Sequence, residues 1–171
     1  MEKDDIFAVL NESLDMEKKG HKFYKEGAAK IKNSLGRKML SRLAEDELVH
    51  IKRIKEIYES LKSDSLSNIK ITEAPIAKFD EIFGRMKEHM NEAVDDLTEV
   101  GVDDEEIINV ALELESHAKF YYREAAQKAK DEKVKQFYEL LAKEEENHYD
   151  LLVNTNKYME NPALFFGMGY H

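Results

Sequence analysis

Two glutamates each followed three residues later by a histidine, Glu47 with His50 and Glu145 with His148, are the residues of this sequence best placed to do chemistry together. On a helix, positions i and i+3 share one face with their Cβ atoms about 5–6 Å apart, so each pair can offer a carboxylate oxygen and an imidazole nitrogen to one ion. A further glutamate precedes each pair at the same distance, Glu17 before the first and Glu115 before the second. One such pair alone carries little weight, because glutamate is abundant and a lone histidine on an apolar face is usually a satisfied core residue. Two copies with matched partners carry much more.

The copies belong to a longer repeat. A shift of 98 residues lays LDMEKKGHKFYKEGA (14–28) on LELESHAKFYYREAA (112–126), pairing Leu14 with Leu112, Glu17 with Glu115, Tyr24 with Tyr122 and Glu26 with Glu124. The same shift, without a gap, lays MLSRLAEDELVH (39–50) on FYELLAKEEENH (137–148), pairing Leu43 with Leu141, Ala44 with Ala142, Glu47 with Glu145 and His50 with His148. The chain reads as a duplicated helical hairpin.

Four segments must position these residues. Their apolar stripes recur every three or four residues, as an amphipathic helix requires. The stripes run Ile6, Leu10, Ser13, Glu17, Gly20, Tyr24, Ala28, Ile31; then Leu40, Leu43, Glu47, His50, Ile54, Ile57, Leu61; then Ile108, Ala111, Glu115, Ala118, Tyr122, Ala125, Ala129; and Val134, Tyr138, Leu141, Glu145, His148, Leu152, Thr155. All six candidate ligands therefore fall where periodicity predicts core. Burying one unpaired carboxylate costs several kcal/mol, and four facing one another also repel. Two divalent cations would offset four carboxylates, with two neutral imidazoles as nitrogen donors. One Glu from each of two helices plus Glu-x-x-His from each of the others is a dimetal arrangement known in four-helix bundles.

Breaks are expected at Asn33–Gly36 and at Lys130–Glu132, with a long connection over roughly 63–103 that carries Pro75 and a short extra helix from about Ile76 to Leu97. The expected fold is all-α: an antiparallel four-helix bundle over residues 1–160, two hairpins joined by that crossover. A non-helical tail over 161–171 (ending PALFFGMGYH) is expected to dock its aromatics on the bundle or a partner chain.

Asp46 and Glu144 occupy equivalent repeat positions four residues before the histidines, where each can accept the second ring N–H of a histidine across the bundle; as surface acids they would look the same. Tyr24 and Tyr122 lie two turns after Glu17 and Glu115 and can bond to a ligand carboxylate, or serve as ordinary core tyrosines. His21, His89, His117 and His171 read as surface residues, and Met16, Met39, Met86 and Met90 as packing.

Bulk composition fits this picture. The 171 residues are 42% hydrophobic and 36% charged, with two prolines and seven glycines, which suits long helices around one core. A net charge of -10 argues against nucleic acid or an anionic membrane as partner. The absence of cysteine removes thiolate, disulfide and iron–sulfur chemistry. The N-terminal MEKDDIFAVLNESLDMEKK is charged from its second residue, and no apolar run approaches the roughly 20 residues of a membrane span, so a cytoplasmic location is expected.

On Glu17, EDELVH, Glu115 and KEEENH, the chain resembles the ferritin-like superfamily and, within it, the rubrerythrin family, over essentially all of 5–158. The resemblance implies a two-iron centre, a dimer or larger homo-oligomer, and redox chemistry with peroxide or dioxygen. Two departures qualify it. The cysteine-bearing rubredoxin-like part common in that family has no counterpart here, so an external electron donor protein is expected. The extra glutamate that the family carries three residues after the third-helix ligand is Ala118 here. Manganese or zinc in place of iron stays open. So do two other functional classes: an iron-handling ferroxidase or storage protein, and a metal-binding bundle without catalysis.

Overall fold

Amphipathic segments of about eight turns apiece can bury their stripes only against one another. The computed structural model of the chain, which describes residues 1–74, 78–88 and 99–165, shows that solution. Helices α1 (Lys3–Lys30) and α2 (Ser34–Lys62) form one antiparallel hairpin. After a 3-10 turn at Leu66–Asn68 and a short α3 (Phe79–Glu88), α4 (Asp104–Lys128) and α5 (Glu132–Glu160) form the second. The hairpins meet through α2 against α5 and α1 against α4, which completes a ferritin-like four-helix bundle. No strand occurs among the described residues, and no helix there is long and apolar enough to cross a membrane.

Local chemistry sets the ends. The side chain of Asn33 accepts the Gly36 N–H at 2.9 Å, so Asn33 caps α2, and Ser34–Gly36 form its first turn instead of a loop. The first break is therefore Ile31–Asn33, a little earlier than the expected Asn33–Gly36. Asp131 caps α5 by accepting the Lys133 and Val134 N–H groups at 2.8 and 3.1 Å.

The crossover is tied down by side chains reaching its backbone. Lys133 Nζ donates to the carbonyls of Leu66, Ser67 and Ile69. The extra helix expected over 76–97 is represented by α3, and residues 76–77 and 89–97 of that expectation lie outside the described ones. Phe79, Phe83 and Met86 of α3 join the core. The tail departs from its expected non-helical form at Pro162–Phe165, a single helical turn. Proline's fixed φ suits the first position of a helix. Phe165 docks on the bundle there, its ring 5.7, 5.9 and 5.5 Å from Phe79, Phe83 and Tyr158; residues 166–171 lie outside the described ones.

The core divides into two apolar clusters. One holds Tyr24, Leu40, Leu43, Ile108, Ala111 and Leu152, and the other Leu10, Ile54, Tyr122, Phe137, Tyr138 and Leu141. Between them, at mid-bundle, lies the polar layer.

One buried acid outside that layer joins the two hairpins. Asp104, 1% exposed, accepts the backbone N–H groups of Lys32, Asn33 and Gly101 at 2.9, 2.8 and 2.9 Å. Alanine at Asp104 would strand all three donors, so unfolding stability is expected to fall by about 2–4 kcal/mol. In urea titration this appears as a lower midpoint at unchanged slope.

Candidate metal centre

The helical spacing delivers the six acidic and imidazole side chains to one level of the bundle. Glu17 comes from α1, Glu47 and His50 from α2, Glu115 from α4, and Glu145 and His148 from α5; His148, the most accessible, is only 5% exposed. They form two overlapping groups whose ligand atoms lie within 4.8 Å of one another. One contains Glu17, Glu47, His50 and Glu145, the other Glu47, Glu115, Glu145 and His148. Glu47 and Glu145 belong to both.

Both imidazoles turn Nδ1 inward. His50 Nδ1 lies 3.3 Å from Glu17 Oε2, 3.3 Å from Glu47 Oε2 and 3.1 Å from Glu145 Oε1. His148 Nδ1 lies 3.2 Å from Glu145 Oε2, 3.6 Å from Glu115 Oε2 and 4.0 Å from Glu47 Oε1. The outward Nε2 atoms meet acids of the opposite hairpin, His50 with Glu144 at 2.9 Å and His148 with Asp46 at 3.2 Å. A ring N–H donated outward to a carboxylate leaves the inward Nδ1 lone pair free for a cation.

The tyrosines cross the bundle reciprocally. Tyr24 on α1 donates to Glu115 Oε1 at 2.5 Å, and Tyr122 on α4 donates to Glu17 Oε1. Three inward carboxylate oxygens, Glu47 Oε2, Glu115 Oε2 and Glu145 Oε1, are buried without a hydrogen-bond partner among the described residues. Orphaned acceptors beside inward-facing imidazole nitrogens are what a cation site presents when donors are lacking. The residues thus fit divalent metal ions in both donor type and arrangement.

Without metal, protons must balance the charge. Burial, then the charges of Glu17 and Glu145, push Glu47 well above the usual carboxylate range. Burial and the Glu145 charge raise Glu115 to about 8. Burial alone would lower both histidines. The carboxylates outweigh it: Glu145 and Glu17 hold His50 well above its ordinary value, and Glu115 with Asp46 does the same for His148. Burial opposes ionisation of Glu145 too, yet the His50 charge and the nearness of both imidazoles hold it well below the usual range.

Around this layer the two halves differ. Glu144 accepts both contacts from Arg53 Nη1 (2.9 and 2.8 Å) and the Ala74 N–H at 3.1 Å, and Arg53 Nη2 also donates to the Thr72 carbonyl. Asp46 instead pairs with Arg42 at 3.1 Å and is more open, at 17% side-chain exposure against 3% for Glu144. Arg53 escaped the sequence reading, although it lies one turn after His50 on the Glu47–His50 face. Its signal was the repeat itself, where the matching position is Leu151.

Of the remaining histidines, His117 is exposed. His21, expected at the surface, is half-buried with Nδ1 2.8 Å from the Ala44 carbonyl, because its ring lies across the α1–α2 contact. His89 and His171 lie outside the described residues. Met39 and Met86 pack in the core and Met16 is half-buried; Met90 lies outside the described residues. Ala118 is buried in an apolar cluster and offers no seventh carboxylate.

A family model described as rubrerythrin matches residues 8–99 and 106–164. No curated protein and no solved structure matches the chain.

The raised groups fix how stability responds to pH. In the folded metal-free chain, Glu47, Glu115, His50 and His148 keep protons that the unfolded chain releases above its ordinary values. Raising the pH from about 5 to about 8 therefore costs the folded state, and the melting temperature in chelator should fall across that window. Glu145 acts in the opposite direction, but only below the ordinary carboxylate range. A metal ion competes with the same protons, so melting in saturating Mn2+ should rise over that window. Equal pH slopes with and without metal would contradict the assignment.

Proposed function

The chain belongs to the rubrerythrin family, and from that premise we propose that it is a non-haem di-iron oxidoreductase that reduces peroxide or dioxygen with electrons from an external donor protein. The observation that carries this reading is the pair of four-residue groups sharing Glu47 and Glu145. On this reading Glu47 and Glu145 would serve both of two ions, Glu17 and Glu115 one each, and His50 and His148 would each give an Nδ1 lone pair. Bound iron would supply the electrons for O–O cleavage and a Lewis acid to polarise that bond.

The chain's own residues supply the rest. Asp46 and Glu144 hold the ring N–H groups and so fix which imidazole nitrogen faces the centre. Tyr24 and Tyr122 hold Glu115 and Glu17 by one oxygen each, leaving the other directed inward. The apolar clusters on either side keep water from the layer, which strengthens every charge interaction within it. On this reading reducing equivalents come from outside these 171 residues, which carry no cysteine. A cytoplasmic homodimer or larger assembly belongs to the same reading.

The test is metal analysis of natively purified protein, then anaerobic reduction and addition of peroxide. Iron at two per chain and stoichiometric reoxidation with loss of peroxide are expected. Glu47→Gln or Glu145→Gln should abolish paired-metal spectra while helicity by circular dichroism is retained; spectra surviving either change would overturn the ligand assignment. Glu144→Gln should weaken metal affinity about 10–100-fold, measured by competition with a chromophoric chelator. Iron that loads and oxidises without peroxide turnover would point to iron handling.

A further inference from the structure

The repeat supplies an internal control for what surrounds each tyrosine. Tyr122 follows Tyr121 and Tyr24 follows Phe23, at matching positions of the two halves. Their geometry is almost superimposable. The Tyr121 and Tyr122 rings lie 5.7 Å apart at 76°, and the Phe23 and Tyr24 rings 5.7 Å apart at 75°. Packing therefore does not demand a hydroxyl at Tyr121, since phenylalanine fills the same space in the other half. The Tyr121 hydroxyl has a use of its own: it donates to Glu12 Oε2 at 3.0 Å and to the Val9 carbonyl at 3.2 Å. The repeat position matching Glu12 is Val110, so the repeat-related pair, Phe23 with Val110, lacks both the phenol and its carboxylate.

A phenol gives up an electron readily only when its proton has somewhere to go. Tyr122 and Tyr121 each donate to a carboxylate, one at the buried centre and one at the surface. Tyr138 makes the contrast. It stacks on Tyr122 with centroids 6.1 Å apart at 19°, yet its hydroxyl is buried with no hydrogen-bond acceptor among the described residues.

We propose that Tyr122 and Tyr121, with Glu12, form a one-electron relay that carries oxidising equivalents from the carboxylate–imidazole centre to the surface between α1 and α4, on one side of the bundle only. The proposal rests on the di-iron reading above. Hydrogen peroxide takes up two electrons and two protons to become two waters. When the centre holds only one of those electrons, Tyr122 gives the other, and its phenolic proton passes to Glu17. Tyr121 then returns an electron to Tyr122, which recovers its proton from Glu17, while the Tyr121 proton moves to Glu12. A soluble thiolate reduces Tyr121, Glu12 returns the proton, and the thiolate leaves as a thiyl radical. The two protons in the waters come from solvent.

The test loads the full chain anaerobically with one ferrous ion per chain, adds hydrogen peroxide, and follows freeze-quenched samples by electron paramagnetic resonance. A tyrosyl signal that decays on addition of thiol is expected, with nitroso spin-trap adducts mapping to Tyr121 by mass spectrometry. Tyr121→Phe and Glu12→Gln should each slow thiol-driven decay about tenfold and remove the surface adduct. Tyr138→Phe, which deletes only the orphaned hydroxyl, should leave decay unchanged. With iron bound and peroxide consumed, absence of a tyrosyl signal, adducts elsewhere, or normal decay in Tyr121→Phe would overturn the relay and leave the di-iron reading standing. Failure to bind iron at all would overturn both.

Discussion

Four carboxylates placed in one dry layer must be matched by positive charge, and the rest of this molecule follows from that requirement. Glu17, Glu47, Glu115 and Glu145 are each at most 3% exposed, and apolar clusters close the layer from both sides. In such surroundings an unmatched charge costs more than any single helix contact contributes. Protons can do the matching, which is why Glu115 is raised to about 8 and both histidines are pushed up. Divalent ions would also satisfy the carboxylate oxygens that lack partners among the described residues.

Holding such a layer together demands rigidity elsewhere. The caps at Asn33 and Asp131 start α2 and α5 at fixed residues, which sets the rotation of the Glu-x-x-His faces. Asp104 joins the α1–α2 loop to the start of α4. Arg53 and Glu144 bind the crossover to the back of His50, while Asp46, paired with Arg42, stands behind His148. The repeat thus gives a symmetric inner set, while its two sides carry different supports. Tyr121 and Phe23, alike in packing and unlike in chemistry, show the same difference between the halves.

Much of this was legible in the sequence, because helical periodicity and a constant repeat offset are both local signals. Glutamate and histidine interrupting apolar stripes marked the six inner positions, and the same offset marked Asp46 with Glu144 and Tyr24 with Tyr122. What periodicity cannot supply is which residue lies opposite which, since that depends on helix rotation across the bundle. The crossed pairs His50 with Glu144 and Tyr24 with Glu115 come from the three-dimensional packing. Arg53 was overlooked because an arginine on a charged helix looks like a solvated side chain until a buried acid faces it. The turn at Pro162 and the early start of α2 were misread because proline and asparagine punctuate loops and helix starts alike.

Two ions held between Glu47 and Glu145 are what the proposed chemistry requires. Crystals of the chain grown with iron, and measured on both sides of the iron absorption edge, would locate them directly by anomalous scattering. The account predicts two peaks about 3.5–4 Å apart, one beside His50 Nδ1 and one beside His148 Nδ1, with Glu47 and Glu145 touching both. A single peak, or peaks only at surface acids with the six side chains hydrogen-bonded among themselves, would contradict it.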